Sequence, residues 1–368
     1  MEKYGFKMEH IRERRRKLVD LVLSGKLSSE EVPEIEKSID TCDCILSLED
    51  KDDKVEQLSK EKLLEDLKEF VTEDYFDEEG IYVRNTLCSL ISKLVSKKFS
   101  PLSFTEMNLS DDDAVLLVGD MIKAKLGMNH YNIYKSLFVN QKDHVEFSNE
   151  FSSLLASFPD TKESFAIIHN HPDIAKASDL AHEAGHYFSS TLSNSFFLGD
   201  SVLSEVESMF YELLFMDYLI DENINKADAY SLFSEYISGI IQRAYILNIE
   251  FSYPMYKLNS IRDFKVMANK YNLYDITGIF NSKDLLNWIN IYNDENPFMY
   301  VYSSLIALEL FEQYKISRNK KGVVSRYEKF ISKVGEIPDY KLASYIERDY
   351  IGFDNFKTLR KYKSKYLK

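Results

Sequence analysis

Residues 179–188 read DLAHEAGHYF, with His182 and His186 four positions apart and Glu183 beside the first of them. On a helix this spacing stacks both imidazoles on one face, one turn apart, where they can reach a single cation. Two imidazoles do not complete a site. A catalytic zinc takes three protein ligands and keeps a position open for water, and a glutamate next to the first ligand can take that water's proton. Gly185 costs helix propensity, so it marks a place where another backbone or a substrate comes close.

A third ligand should come from a neighbouring helix. Residues 199–220, GDSVLSEVESMFYELLFMDYLI, read as that helix, with Asp200 or Ser201 as its cap. Glu205, Ser208 and Glu212 then share one face at spacings of three and four. The interval from His186 to Glu205 accommodates the end of one helix, a loop through SNSFFLGD and an antiparallel return. Glu207 points to a different side of the helix and is the weaker candidate.

Several elements must carry these two helices. MEHIRERRRKLVDLVLSG has apolar residues at helical spacing and ends at Gly25; SSEEVPEIEKSID opens with serine caps and an acidic first turn; SKEKLLEDLKEFV repeats the pattern. A further helix is expected from Ser110 to about Gly127. HYNIYKSLFVNQKDHVEFSNEF alternates β-branched and aromatic residues around NQKD and predicts a short hairpin, and SFAIIHN, residues 164–170, one more strand. From Pro172, suited to a first helical turn, the pattern is helical to about Leu192, and helices dominate the remainder. The fold class is therefore mainly α with a small sheet. The expected division is a helical lobe over residues 1–128 and a lobe over 129–368 that holds the sheet and the histidine helix.

Bulk composition narrows the function classes. Only 12 Gly and 7 Pro among 368 residues favour long helices, and the 45% hydrophobic and 14% aromatic content describes a folded chain. The formal net charge of -14 repels phosphate backbones and anionic lipid, so no nucleic-acid or membrane partner is expected. The basic run from Arg12 to Lys17 reads as the solvated face of the first helix. Cys42, Cys44 and Cys88 make an odd set without C-x-x-C spacing, which suggests free thiols in a reducing compartment. The opening residues lack the apolar stretch of a leader and no apolar run is long enough to span a bilayer, so a cytoplasmic protein is expected.

HEAGH followed by EVESMFYE resembles the oligoendopeptidase F and thimet oligopeptidase group of zinc peptidases, with their H-E-x-G-H and E-x-x-S-x-x-x-E patterns. The lead-in HPDIAKASDLAHEAGHYF and the later segments IIQRAYILNIEF, NPFMYVYSSLIA and YEKFISKVG resemble that group in the same order, over about residues 160–355. The resemblance implies a helical zincin-type metallopeptidase whose sheet edges the active-site cleft. It implies one zinc ion per chain on His182, His186 and Glu205, Glu183 as general base, Ser208 and Glu212 supporting the ligands, and a peptide substrate. Tyr300 and Tyr302 are both expected as donors to the developing oxyanion, because an extra residue, Met299, shifts the register of the group's tyrosines. No histidine follows His186, so the group's substrate-contacting histidine is absent and Asn293 or Tyr292 stands near its place. The chain is also shorter than typical members, on the N-terminal side.

Other readings compete. The chain could be a protease dedicated to one leader peptide or regulator, or a non-catalytic protein that holds a peptide on a peptidase fold; the retained Glu183 argues against the last, since binding alone needs no base. His169 and His171 either flank the cleft or belong to a polar turn at a strand end. His10, His130 and His144 read as surface or packing residues.

Overall fold

In the computed structural model, described over residues 8–29, 31–50, 108–193, 203, 205–256, 297–334, 342, 345 and 353–366, helix α1 (Met8–Leu23) stops just before Gly25, whose φ of 63° suits glycine alone. The expectations for SKEKLLEDLKEFV, Asp200, Ser201, Tyr292, Asn293 and Cys88 lie outside those residues. Glu31 reaches back to accept from the Ser28 backbone N–H at 2.8 Å and from its hydroxyl at 2.7 Å, one arm of a capping box, and helix α2 (Val32–Asp50) follows. The apolar sides of α1 and α2, with Ile11, Leu18, Ile35, Cys42 and Ile45, close on Ala156, Phe158 and Ile167 of a small sheet. One member of the basic run departs from the expected solvated face. Arg14 turns inward and donates to Asp160 at 2.8 Å and Glu163 at 2.7 Å, which ties α1 to the sheet.

Helix α3 (Asp111–Lys125) begins as its sequence predicts, with the Ser110 hydroxyl oxygen accepting from the Asp113 N–H at 3.1 Å. The expected hairpin around NQKD is not formed. Met128–Phe138 is helix α4, followed by a single 3-10 turn at Lys142–His144 and strand β1 (Val145–Ser148). The buried residues of α4, His130, Tyr134, Leu137 and Phe138, recur at a helical period that its aromatic content disguises. The hairpin lies later: β2 (Leu154–Phe158) returns antiparallel as β3 (Glu163–His169), and β1 pairs in parallel with the other side of β3. The sheet order is β1-β3-β2, and β3 is the strand expected at SFAIIHN.

Helix α5 (Ala175–Leu192) carries the two histidines and starts three residues after Pro172, with Ile174 at its N-cap and the Asp173 carboxylate accepting from the Ala175 N–H at 2.8 Å. It is buried along much of its length through Ala177, Leu180, Ala181, Ala184 and Phe188, and packs against α6 (Val206–Asp221). His130 is a packing residue: its ring stacks on Phe188 at 3.9 Å and its Nδ1 lies 2.8 Å from the Tyr211 hydroxyl.

The described chain forms two compact units. The first takes in α1–α6, the sheet and α9 (Lys320–Ile331); the second takes in most of α7 (Lys226–Tyr256) and α8 (Pro297–Ile316) together with α10 (Phe353–Tyr366). This division does not fall at residue 128, because α1 and α2 pack on the sheet of the first unit. Within the second unit Phe233 stacks on Tyr366 at 4.4 Å, and the buried Thr358 hydroxyl donates to Glu309 at 2.6 Å. Among the described residues no helix is long and apolar enough to cross a membrane.

Candidate metal centre

Close contact between α5 and α6 builds the site. A Cβ on Gly185 would stand 2.6 Å from the Ser208 Cα and 2.8 Å from the Glu207 carbonyl oxygen, so only glycine lets the two backbones approach this far. Glu205, at the N-cap of α6, is thereby brought to the face of α5 that carries both histidines. Gly185→Ala is expected to push the helices apart, lowering stability by about 1–3 kcal/mol. The same displacement of Glu205 should weaken metal binding, and thermal unfolding with chelator competition measures both.

Three ligand atoms converge. The Nε2 atoms of His182 and His186 are 3.1 Å apart, and each lies 3.3 Å from Oε2 of Glu205. Two ligands at zinc distances of about 2.0–2.1 Å, set at a tetrahedral angle, stand roughly 3.3 Å apart. The triangle therefore has the size that a bound zinc requires. Ser208 steadies its carboxylate corner, with its hydroxyl 2.9 Å from Glu205 Oε2. Among the described residues this is the one group of three His, Cys, Asp or Glu side chains so arranged.

Each histidine also has a carboxylate on its outer nitrogen. His182 Nδ1 lies 2.5 Å from Glu212 Oε1, and His186 Nδ1 lies 3.5 Å from Glu207 Oε1. A carboxylate that accepts from Nδ1–H fixes the tautomer and aims the Nε2 lone pair at the ion. Glu207 is thus outside the ligand triangle but directly behind one of its corners. Its place was not legible from helix spacing, although a charge inside the apolar run of α6 was a signal that it needed a partner.

The electrostatics favour a cation. Glu183 is 3% exposed and its Oε2 has no hydrogen-bond partner. Burial raises its carboxyl to about 7 against the pull of both histidines. Burial alone would depress His186, but Glu205 and the nearby Glu207 carboxylate outweigh it and hold the imidazole at about 10. His182 is raised for the same kind of reason by Glu205 and Glu212, while Glu205 is held low by the histidines although burial opposes this. The histidine side chains keep 20% and 21% exposure, leaving one side of the triangle accessible.

His182, Glu183, His186 and Glu205 are brought together as the sequence predicts. Tyr300 and Tyr302 belong to α8 in the second unit: Tyr302 is buried, and the Arg243 guanidinium lies 4.7 Å from the ring centre of the half-buried Tyr300. His169 ends β3 and His171 lies in the turn that follows it, and neither belongs to the triangle. His169 Nδ1 lies 2.8 Å from the Phe151 carbonyl, and His171 Nε2 lies 3.4 Å from Asp179.

No protein-family model and no curated protein matches the sequence. Solved structures do match the fold. A protein of Chlamydophila abortus described as a candidate peptidase is 15% identical, with 98% of this chain and 62% of that one covered at a TM-score of 0.57. PZ peptidase A with an inhibitor is 12% identical over 79% of this chain and 59% of that one, TM-score 0.57. A candidate oligoendopeptidase F is 14% identical over 78% and 57%, TM-score 0.56. The chain spans 57–62% of the length of these structures. The mainly helical architecture with its small three-stranded sheet is an oligoendopeptidase-like fold.

Proposed function

We propose that this chain is a zinc-dependent endopeptidase that hydrolyses short, extended peptides, with one ion held by His182, His186 and Glu205. The observation that carries the reading is the triangle of His182, His186 and Glu205 with the buried Glu183 next to His182 in sequence. A donor set of two imidazoles and a carboxylate suits zinc. When bound, zinc supplies Lewis acidity, polarising a carbonyl oxygen and making water a better nucleophile.

The chain's own groups do the rest. Glu183 takes a proton from the attacking water and returns it to the leaving amine. Its carboxyl of about 7 matches that double duty, since it gains and loses a proton readily at neutral pH. Glu207 and Glu212 keep the imidazoles facing inward, and Ser208 keeps the Glu205 carboxylate in place. An extended peptide would add to a free edge of the sheet through main-chain hydrogen bonds, which gives affinity with little sequence preference. Tyr300 and Tyr302 are proposed as hydroxyl donors to the oxyanion on sequence resemblance alone.

A mixed peptide pool incubated with zinc-loaded protein and read by mass spectrometry tests this function, with Glu183→Gln as the paired control. Many cleavage products from the wild type and none from the variant are expected. An uncut pool, with zinc bound, would contradict a general oligopeptidase and turn attention to a protease for one partner or a binding protein.

A further inference from the structure

Three segments meet at one carboxylate on the helix that bears the histidines. Asp179 lies on the same face of α5 as His182 and His186, at spacings of three and four, one turn before the first of them. The hydroxyl of Ser153, the residue ahead of β2, donates to Asp179 Oδ2 at 2.9 Å and accepts from the backbone N–H of His169, the last residue of β3, also at 2.9 Å. His171 Nε2 stands 3.4 Å from the same Oδ2. One hydroxyl thus joins β2, β3 and α5.

The link holds the open half of an edge strand. β2 lies at an edge of the sheet, its only strand partner among the described residues being β3. Ala156, Ser157 and Phe158 are buried, with Ala156 and Phe158 packed against α1 and α2, whereas Leu154 and Leu155 are half-buried. The accessible end of β2 is therefore the end tied to α5, at a residue about 4.5 Å along the helix axis before His182.

We propose that Asp179 is a positioning residue: through Ser153 it fixes the open end of β2 against the histidine-bearing turns of α5, and so sets which bond of an edge-bound peptide faces the metal centre. A peptide added to β2 takes its register from the main-chain groups of that strand. A slip of one residue, about 3.4 Å, brings a neighbouring bond to the same place, so the strand and the helix must be held to less than that. Two hydrogen bonds of 2.9 Å through one hydroxyl supply that hold. This role presupposes the peptidase reading above.

The test uses the zinc-loaded full chain and a defined peptide that the wild type cuts at one principal bond, with products read by mass spectrometry. Asp179→Ala and Ser153→Ala are each expected to lower kcat/KM about 10–100-fold, as misplacement of a bound substrate does, and to spread cleavage onto neighbouring bonds with zinc content unchanged. Because both substitutions break one link, the double variant should lose no more than Asp179→Ala alone. Asp179→Asn keeps an oxygen that can accept from the Ser153 hydroxyl and should restore the wild-type cleavage position. Ser153→Ala leaves Asp179 and its contact with His171 in place, and provides the test if the Asp179 variants do not fold. Cleavage confined to the wild-type bond in the alanine variants overturns the proposal even where Tm falls, as do losses that multiply in the double variant or zinc lost in step with turnover. A wild type that binds zinc and cuts no peptide overturns the peptidase reading together with this one, whereas a wild type and variants that cut alike overturn this one alone.

Discussion

Glu183→Gln is expected to keep wild-type zinc content and to lower kcat by about 10²–10⁴-fold, the usual contribution of a positioned general base. The two expectations separate because Glu183 is not one of the ligand atoms: the triangle is made by His182, His186 and Glu205. Gln has nearly the same shape, so the buried position tolerates it, and it even relieves the cost of a carboxylate that is 3% exposed with an oxygen lacking a partner. What it loses is the ability to take and return a proton. Metal content by plasma mass spectrometry and turnover of a fluorogenic peptide, on the same preparation, check both halves. A variant with reduced zinc and proportionally reduced turnover would instead place Glu183 among the ligands.

His186→Ala should lose both zinc and turnover. The substitution removes one corner of the triangle and also strips Glu205 and Glu207 of the imidazole that lies 3.3 Å from one and 3.5 Å from the other. Leaving a buried carboxylate without its partner costs about 3–5 kcal/mol. The variant is therefore expected to unfold at lower urea concentration as well as to retain no zinc after dialysis. Zinc retained at one equivalent would contradict the assignment of His186. The contrast with Glu183→Gln distinguishes a ligand from a base, since only the ligand substitution changes the metal content.

Much of this site could be read before any coordinates, for a geometric reason. A spacing of four on one helix fixes the relation of His182 to His186 without knowledge of the rest of the chain, and Glu183 follows from its place beside the first ligand. Glu205 was singled out by its spacing of three and four from Ser208 and Glu212, although the helix begins at Val206 with Glu205 as its N-cap and not at the expected Asp200 or Ser201. Glu207 was not, because spacing within α6 says where a side chain points on its own helix and nothing about which part of α5 meets it. The close crossing at Gly185 decides that, and with it the pairing of Glu207 with His186. The same limit explains the misplaced hairpin. Aromatic residues of Met128–Phe138 suit a strand as well as a buried helix, and the parallel pairing of β1 with β3 is a non-local choice that no local alternation records. Ser110, by its side-chain cap, and Gly25, by its backbone conformation, act on the helix ends next to them, and the helices they bound were read correctly.

The most direct test of the account is X-ray absorption at the zinc edge of the zinc-loaded chain, with the metal-to-protein ratio measured on the same sample. One zinc per chain is predicted, with two imidazoles and oxygen donors at about 2.0–2.1 Å. A chain that holds no zinc, or an edge spectrum with sulfur donors at about 2.3 Å, would contradict the metal centre on α5 and α6 and the peptidase reading built on it.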